Sequence, residues 1–305
     1  MTYDVLIAGG GPAGLSAALL LGRSLRAVLV CDGGEPRNAA SPAAHSFLTR
    51  DGTPPLELRR IGREQLAEYP SVELADAEIL EVDSADGRFE ATLGDGRHVA
   101  ARKVILATGV RDELPAIEGL TDLWGGDVFH CPYCHGWEVR DRPLVVLSNG
   151  APPEIFWHMV TLIRNWSGDV VVLTDGGDDL GPEDRERLRA MDVGLREEPI
   201  ARLEHEGGRL TQVVFADGST LPQGGVFVRP VQRPRNELAI RLGCELNDDA
   251  IPGLIRVDPT WQTTVPGVYA VGDVATPMQQ IAMAVSSGAM AGAMANHALV
   301  MDALG

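Results

Sequence analysis

Asp4-Val5-Leu6-Ile7-Ala8-Gly9-Gly10-Gly11-Pro12-Ala13-Gly14 is an apolar run that stops at a cluster of glycines and a proline. Asp4 to Ala8 reads as a short buried strand, Leu15 to Leu21 as a helix, and Ala27 to Cys31 as a second strand ending at Asp32. Gly9, Gly11 and Gly14 match G-x-G-x-x-G, with an acid 21 residues after Gly11. Each part has a task. The first glycine allows a tight turn, the second lets backbone approach a pyrophosphate, and the third lets helix and strand pack closely. The helix N-terminus offers free N–H groups to phosphates, and Asp32 can accept hydrogen bonds from ribose hydroxyls. A bare glycine motif is a weak signal; strand, glycines, helix, strand and acid in this order predict dinucleotide binding.

The surrounding chain sets limits. Its 305 residues suffice for two domains, and 45% hydrophobic with 23% charged residues describe a globular protein. A formal charge of -17 repels nucleic acid and anionic membranes, so neither is expected as a partner. No basic flank precedes the first apolar run, which argues against a signal peptide. Ile281 to Leu304 is mostly apolar, but Ser286, Ser287, Asn296, His297 and Asp302 and its many Ala and Gly residues fit a packed helix better than a membrane span. Four cysteines in so long a chain are no disulfide scaffold; the expectation is a catalytic disulfide in a reducing, cytoplasmic setting.

A polar loop, Gly33 to Gly52, holds Arg37, Asn38, His45 and Phe47 and is too long for a simple connector. A helix over Pro55 to Tyr69 follows, then strands near 72–74, 79–82, 89–93 and 104–107, the last running into Thr108-Gly109. A second βαβ pattern starts with strand 144–147, helix 155–165 and strand 170–173, followed by helix 183–191 and several short strands up to Val228. Strand 268–271 ends at Gly272-Asp273, an acid placed for an oxygen-rich cofactor.

Between the two βαβ patterns lies His130-Cys131-Pro132-Tyr133-Cys134-His135-Gly136-Trp137-Glu138. Two thiols at this spacing can close a disulfide, one attacking a substrate and the other resolving it. The same pair could be half of a zinc site. Zinc needs two more ligands, however, while Cys31 and Cys244 stand alone and His130 and His135 have the wrong spacing, so redox chemistry is favoured.

With these pieces placed, nearly the whole chain resembles the low-molecular-weight thioredoxin reductase-like flavoproteins. The matches are Gly9 to Gly14, Ala107-Thr108-Gly109, Cys131 to Cys134, Val271-Gly272-Asp273, and Gln280 with Gly288. The resemblance implies an α/β fold of two Rossmann-like domains. The FAD-binding domain would comprise 1–115 and 245–305, and the inserted NAD(P)-binding-like domain, 116–244, would carry the redox pair. It places FAD at Gly9, Gly11, Pro12, Ala13, Gly14, Asp32, Asn38, His45, Thr108, Gly109, Gly272, Asp273, Gln280 and Ile281, and implies a homodimer.

The insert departs from that pattern. Ser148-Asn149-Gly150-Ala151-Pro152-Pro153 keeps only the middle glycine of the NADPH turn, and Thr174 to Asp179 is acidic where the reductases carry basic residues for a 2′-phosphate. The segments Arg37-Asn38, His45 to Gly52 and Cys131 to Glu138 are more similar to the small-molecule dithiol oxidases that close the disulfides of gliotoxin and holomycin. That resemblance implies oxidation of a small dithiol through Cys131, Cys134 and FAD to dioxygen. Cys134 would face the flavin, Cys131 would exchange with substrate, and His135 would serve as base. The alternatives are a thioredoxin-disulfide reductase fed by NAD(P)H or another donor such as ferredoxin, and a non-enzymatic flavin redox sensor.

Overall fold

Short apolar strands separated by helices favour parallel pairing, because neighbouring parallel strands need a connection long enough to hold a helix. The computed structural model, which describes residues 2–85, 87–248 and 251–304, follows this rule twice. The first stretch contains β1 (Thr2–Ala8), α1 (Pro12–Arg23), β2 (Val28–Cys31), α2 (Pro55–Leu66), β3 (Val72–Ala75), β4 (Ile79–Ala85), β5 (Arg88–Leu93), β6 (His98–Leu106) and β7 (Val110–Glu113). The middle contains β8 (Val128–Phe129), α3 (Pro132–His135), β9 (Leu144–Leu147), α4 (Pro153–Ile163), β10 (Val170–Leu173), α5 (Pro182–Ala190), β11 (Gly194–Arg196), β12 (Ile200–Glu206), β13 (Arg209–Phe215), β14 (Thr220–Pro222) and β15 (Gly225–Phe227). The last stretch holds β16 (Val231–Pro234), α6 (Glu237–Arg241), β17 (Leu246–Asn247), β18 (Leu254–Ile255), β19 (Val268–Ala270) and α7 (Ile281–Leu304).

The chain divides into two compact units. Unit 1 is Met1–Ala39, Pro54–Asp112 and Gln232–Gly305; unit 2 is Ala40–Thr53 and Glu113–Val231. Two boundaries differ from those read in the sequence. The chain re-enters unit 1 at Gln232 rather than 245, because Ala239, Leu242 and Cys244 pack into the unit 1 core with Val82 and Ile255. The segment Ala40–Thr53 belongs with the redox pair, since Ser41 and Ser46 bond to His135 and Tyr133 of unit 2.

In unit 1 the sheet order is β3-β2-β1-β6-β5-β4, with β19 also paired to β6. One side of β6 serves two neighbours: β5 runs antiparallel to residues 98–101, and β19 parallel to residues 104–106. β1, β2, β6 and β19 are parallel, so their C-terminal ends share one edge. Side chains alternate across the sheet as strand geometry requires. Val5, Ile7, Val28, Val30 and Ile105 join the core that includes α1 and α7, while Leu6, Leu29, Val104 and Leu106 join the core on the opposite face. Full burial of Leu21 on α1 contributes roughly 1.5–3 kcal/mol.

Helix α7 turns Ala284, Gly288, Ala291, Gly292, Ala295 and Leu299 inward against α1. A Cβ on Gly288 would overlap the Ala13 carbonyl oxygen, so these helices meet backbone to backbone. That face explains the run of small residues. Among the described residues no helix is long and apolar enough to cross a membrane.

Unit 2 has its own parallel sheet, β11-β10-β9-β15-β8, and an antiparallel sheet, β12-β13-β14. Phe129, Val146, Val160 and Ile163 form one of its cores; Val145, Leu147, Val213 and Phe215 form another.

Candidate functional site

The shared strand edge of unit 1 carries the glycine turn. Gly9 has φ +111°, and a Cβ there would overlap the Ala107 carbonyl; a Cβ on Gly14 would overlap the carbonyl of Gly9. Both positions therefore exclude side chains for reasons of packing. Gly11 is different: its φ of -77° suits any residue, and a Cβ there would meet nothing within 4 Å. The space over Gly11 is open, ahead of the α1 N-terminus, where Pro12 is the first helical residue.

Asp32, at the end of β2, accepts the Gly34 N–H at 2.9 Å and the Arg59 guanidinium at 2.5 and 3.1 Å. A carboxylate has about four acceptor positions, so room remains for ribose hydroxyls. Thr108 Oγ1 donates to the Arg235 carbonyl at 2.5 Å, and the Gly109 carbonyl accepts the Arg235 N–H at 2.9 Å. Asn38 lies in a short 3-10 turn, Arg37–Ala40. Gly272 donates its N–H to Ser287 Oγ at 3.1 Å, and the Gln280 carbonyl accepts the Ala284 N–H just before α7 begins at Ile281. A Cβ on Gly272 would come 3.0 Å from Ala13 Cβ.

Sequence reasoning named Arg37 but gave it no role. Its guanidinium holds Asp112 through two bonds of 2.7 Å, Asp273 at 2.9 Å and Gln279 at 2.6 Å. Burial pushes the Asp273 carboxyl above its ordinary range against the pull of Arg37. The glycine turn, Asp32, Thr108-Gly109 and Gly272-Asp273 are thus gathered on one edge, and these residues fit a dinucleotide.

His45 belongs to unit 2. Its Nε2 is 3.4 Å from Glu138 Oε1, and its Nδ1 is 3.6 Å from Asp51 Oδ1. The redox pair of that unit is a disulfide, Cys131–Cys134, with Cα atoms 5.3 Å apart. Cys131 is the N-cap of the one-turn helix α3, and Pro132 is its first residue. Among the described residues no group of three or more His, Cys, Asp or Glu side chains could hold a metal ion.

His135, the last residue of α3, stacks on Phe129 with ring centroids 4.6 Å apart. Its Nε2 lies 3.1 Å from Ser41 Oγ, while that hydroxyl donates to the Ala43 carbonyl at 2.7 Å. A hydroxyl has one proton, and the shorter bond takes it, so Ser41 must accept from Nε2–H. The other ring nitrogen, Nδ1, is buried and has no hydrogen-bond partner within ordinary limits. Burial, with His45 adding to it, lowers the ring's pKa from 6.5 to about 4, against an opposing effect of the Cys131 backbone. Sequence reasoning missed Ser41 and Phe129; neither has a local signal.

This has a consequence for stability. The unfolded ring takes up a proton near pH 6.5 and the folded ring only near 4, so the folded state loses stability as pH falls between those values. On denaturation at pH 7 and pH 5, the wild type should lose about 2 kcal/mol more than His135→Gln. Equal losses would show that the ring is not held neutral.

The chain is similar to several known proteins over nearly its whole length. "Thioredoxin reductase aclD" of Aspergillus oryzae is 34% identical over 296 residues, covering 95% of this chain and 94% of its own. The crystal structure of HlmI is 40% identical at a TM-score of 0.92, covering 99% and 94% of the two chains. An oxidoreductase from Agrobacterium tumefaciens is 36% identical at a TM-score of 0.91, covering 99% of each chain. The fold is that of thioredoxin reductase-like oxidoreductases and implies a flavin. The pyridine nucleotide-disulphide oxidoreductase family matches residues 3–151 and 160–288, nearly the whole length, and the chain belongs to that family.

Proposed function

We propose that the protein is an FAD-dependent oxidase that closes an intramolecular disulfide in a small-molecule dithiol, with dioxygen as electron acceptor. The resemblance to dithiol oxidases supports the substrate class, and the closed Cys131–Cys134 disulfide supports the chemistry. One substrate thiolate attacks Cys131, the Cys131–Cys134 bond breaks, and Cys134 leaves as a thiolate. The second substrate thiolate then attacks the substrate sulfur of the mixed disulfide and releases Cys131. Substrate loses two electrons and two protons, and His135, beside Cys134 in the chain, is the residue assigned to take a proton from an attacking thiol. FAD on the strand edge of unit 1 would take the electron pair from the reduced cysteines and pass it to dioxygen, giving hydrogen peroxide. The same reading makes the enzyme a cytoplasmic homodimer, in keeping with its two free, buried cysteines, Cys31 and Cys244.

The direction of electron flow rests on one observation: α4 begins with Pro152 as N-cap and Pro153 as first residue. Two backbone N–H groups that a nucleotide pyrophosphate would use are missing. The likeness to a thioredoxin reductase of Aspergillus oryzae favours a second reading, a thioredoxin reductase fed by a pyridine nucleotide.

Anaerobic mixing separates the two. Dithiothreitol should bleach the flavin while NADH and NADPH leave it yellow, and admitting air should restore the colour with formation of peroxide. Fast, saturable bleaching by NADPH would overturn the oxidase reading.

A further inference from the structure

Unit 2 repeats the strand, turn and helix of a dinucleotide site at β9, residues 148–152 and α4, but the chain occupies the anion position itself. Ser148 Oγ and the Gly150 N–H both donate to Asp179 Oδ2, each at 3.3 Å. Asp179 reaches the turn from the loop after β10, so its carboxylate lies on the N–H that a phosphate oxygen would otherwise take. Other groups of the turn are tied up or missing as well. Asn149 Nδ2 donates to the Arg229 carbonyl at 2.6 Å, and Pro152 and Pro153 have no N–H.

The end of β10, where a ribose would be read, is engaged in the same way. Asp175 Oδ1 accepts the Ile200 N–H at 2.6 Å, which ties that oxygen to the backbone of β12. Asp178 adds negative charge to the same loop. A pyridine nucleotide therefore does not fit this turn: its phosphate would need a donor already taken by a carboxylate, next to like charges.

We infer that Asp179 is the residue that bars NADH and NADPH from unit 2, its carboxylate standing in for the nucleotide phosphate. The unit keeps the shape of a dinucleotide domain with the anion supplied from within. This deepens the proposed function, on which it rests only for the claim that electrons enter from the dithiol. Asp179 specifies what is excluded and takes no part in the thiol chemistry.

The test is a titration of the full-length, flavin-loaded protein with NADH and with NADPH, following quenching of the tryptophans, among them Trp157 on α4. The wild type should show no saturable quenching up to about 1 mM nucleotide. Asp179→Ser should gain saturable quenching with affinity improved at least about tenfold, and dithiol turnover should stay at the wild-type level. Asp179→Asn, which keeps the shape and removes the charge, should gain in the same direction and serves as the second variant if Ser disturbs the loop. Adding Pro152→Ala and Pro153→Ala should tighten binding further by restoring N–H donors. If both Asp179 variants fold and bind no better than the wild type, the inference fails while the oxidase reading stands. If the wild type itself binds NADPH and its flavin bleaches, both fail together.

Discussion

Replacing Cys134 by Ser should reduce dithiol turnover at least about a thousandfold, since no disulfide remains to take the electron pair. Cys131→Ser should cost as much, and both variants should keep their flavin because the two thiols lie in unit 2 and the glycine turn in unit 1. The roles differ in what each variant can trap. With Cys134 gone, Cys131 remains as the exchanging thiol and should form a stable mixed disulfide with a small disulfide probe, seen as a mass increase. Cys131→Ser should trap far less. Normal turnover in Cys134→Ser would end the assignment of both cysteines.

The second large effect distinguishes two glycines only three residues apart. A methyl on Gly14 would overlap the Gly9 carbonyl, and relieving that overlap means moving the start of α1 away from the turn after β1. Gly14→Ala should destabilise the protein by about 2–4 kcal/mol and strip it of flavin. A methyl on Gly11 meets no protein atom within 4 Å, and its backbone angles suit alanine. Gly11→Ala should therefore unfold at the temperature of flavin-stripped wild type yet retain less than about a tenth of the flavin, because the methyl occupies the approach of the pyrophosphate. Measuring thermal unfolding and flavin content on both proteins decides the matter. Full flavin in Gly11→Ala would mean that the dinucleotide is not bound at this turn.

What the sequence disclosed and what it withheld follow from the range of the forces involved. Strands 144–147 and 170–173 and the helix 281–304 coincide with β9, β10 and α7, since the strands are unbroken apolar runs and the helix is mostly apolar or small residues. The family and its glycine turn were legible because residue type and order carry them. Helix α3, one turn inside the redox motif, and α6 were not seen, both being too short to show a period. The partners of His135 were also hidden. Ser41 lies 94 positions away in sequence, and only folding brings it to Nε2. The unperturbed histidine value suggested a base that titrates near neutrality, whereas burial beside Phe129 keeps the ring neutral well below that. Asp179 was read as part of a repelling acidic loop, but nothing local said that it would reach Ser148 and Gly150.

The backbone contact between α1 and α7 also bears on how the protein is made. Ala13 and Ala17 of α1 are covered by Gly288 and Gly292, and β6 receives β19 on an edge that β5 leaves bare. Ribosomes add about 5–20 residues per second, so the apolar face of α1 waits on the order of 10–50 s before residue 268 and its successors are made. During that interval Glu113–Val231, which supplies both sheets of unit 2, has already been synthesised and can collapse on its own strands. Unit 1, though it is begun first, is completed last, and the face of α1 that packs on α7 stays uncovered until the end of the chain is made.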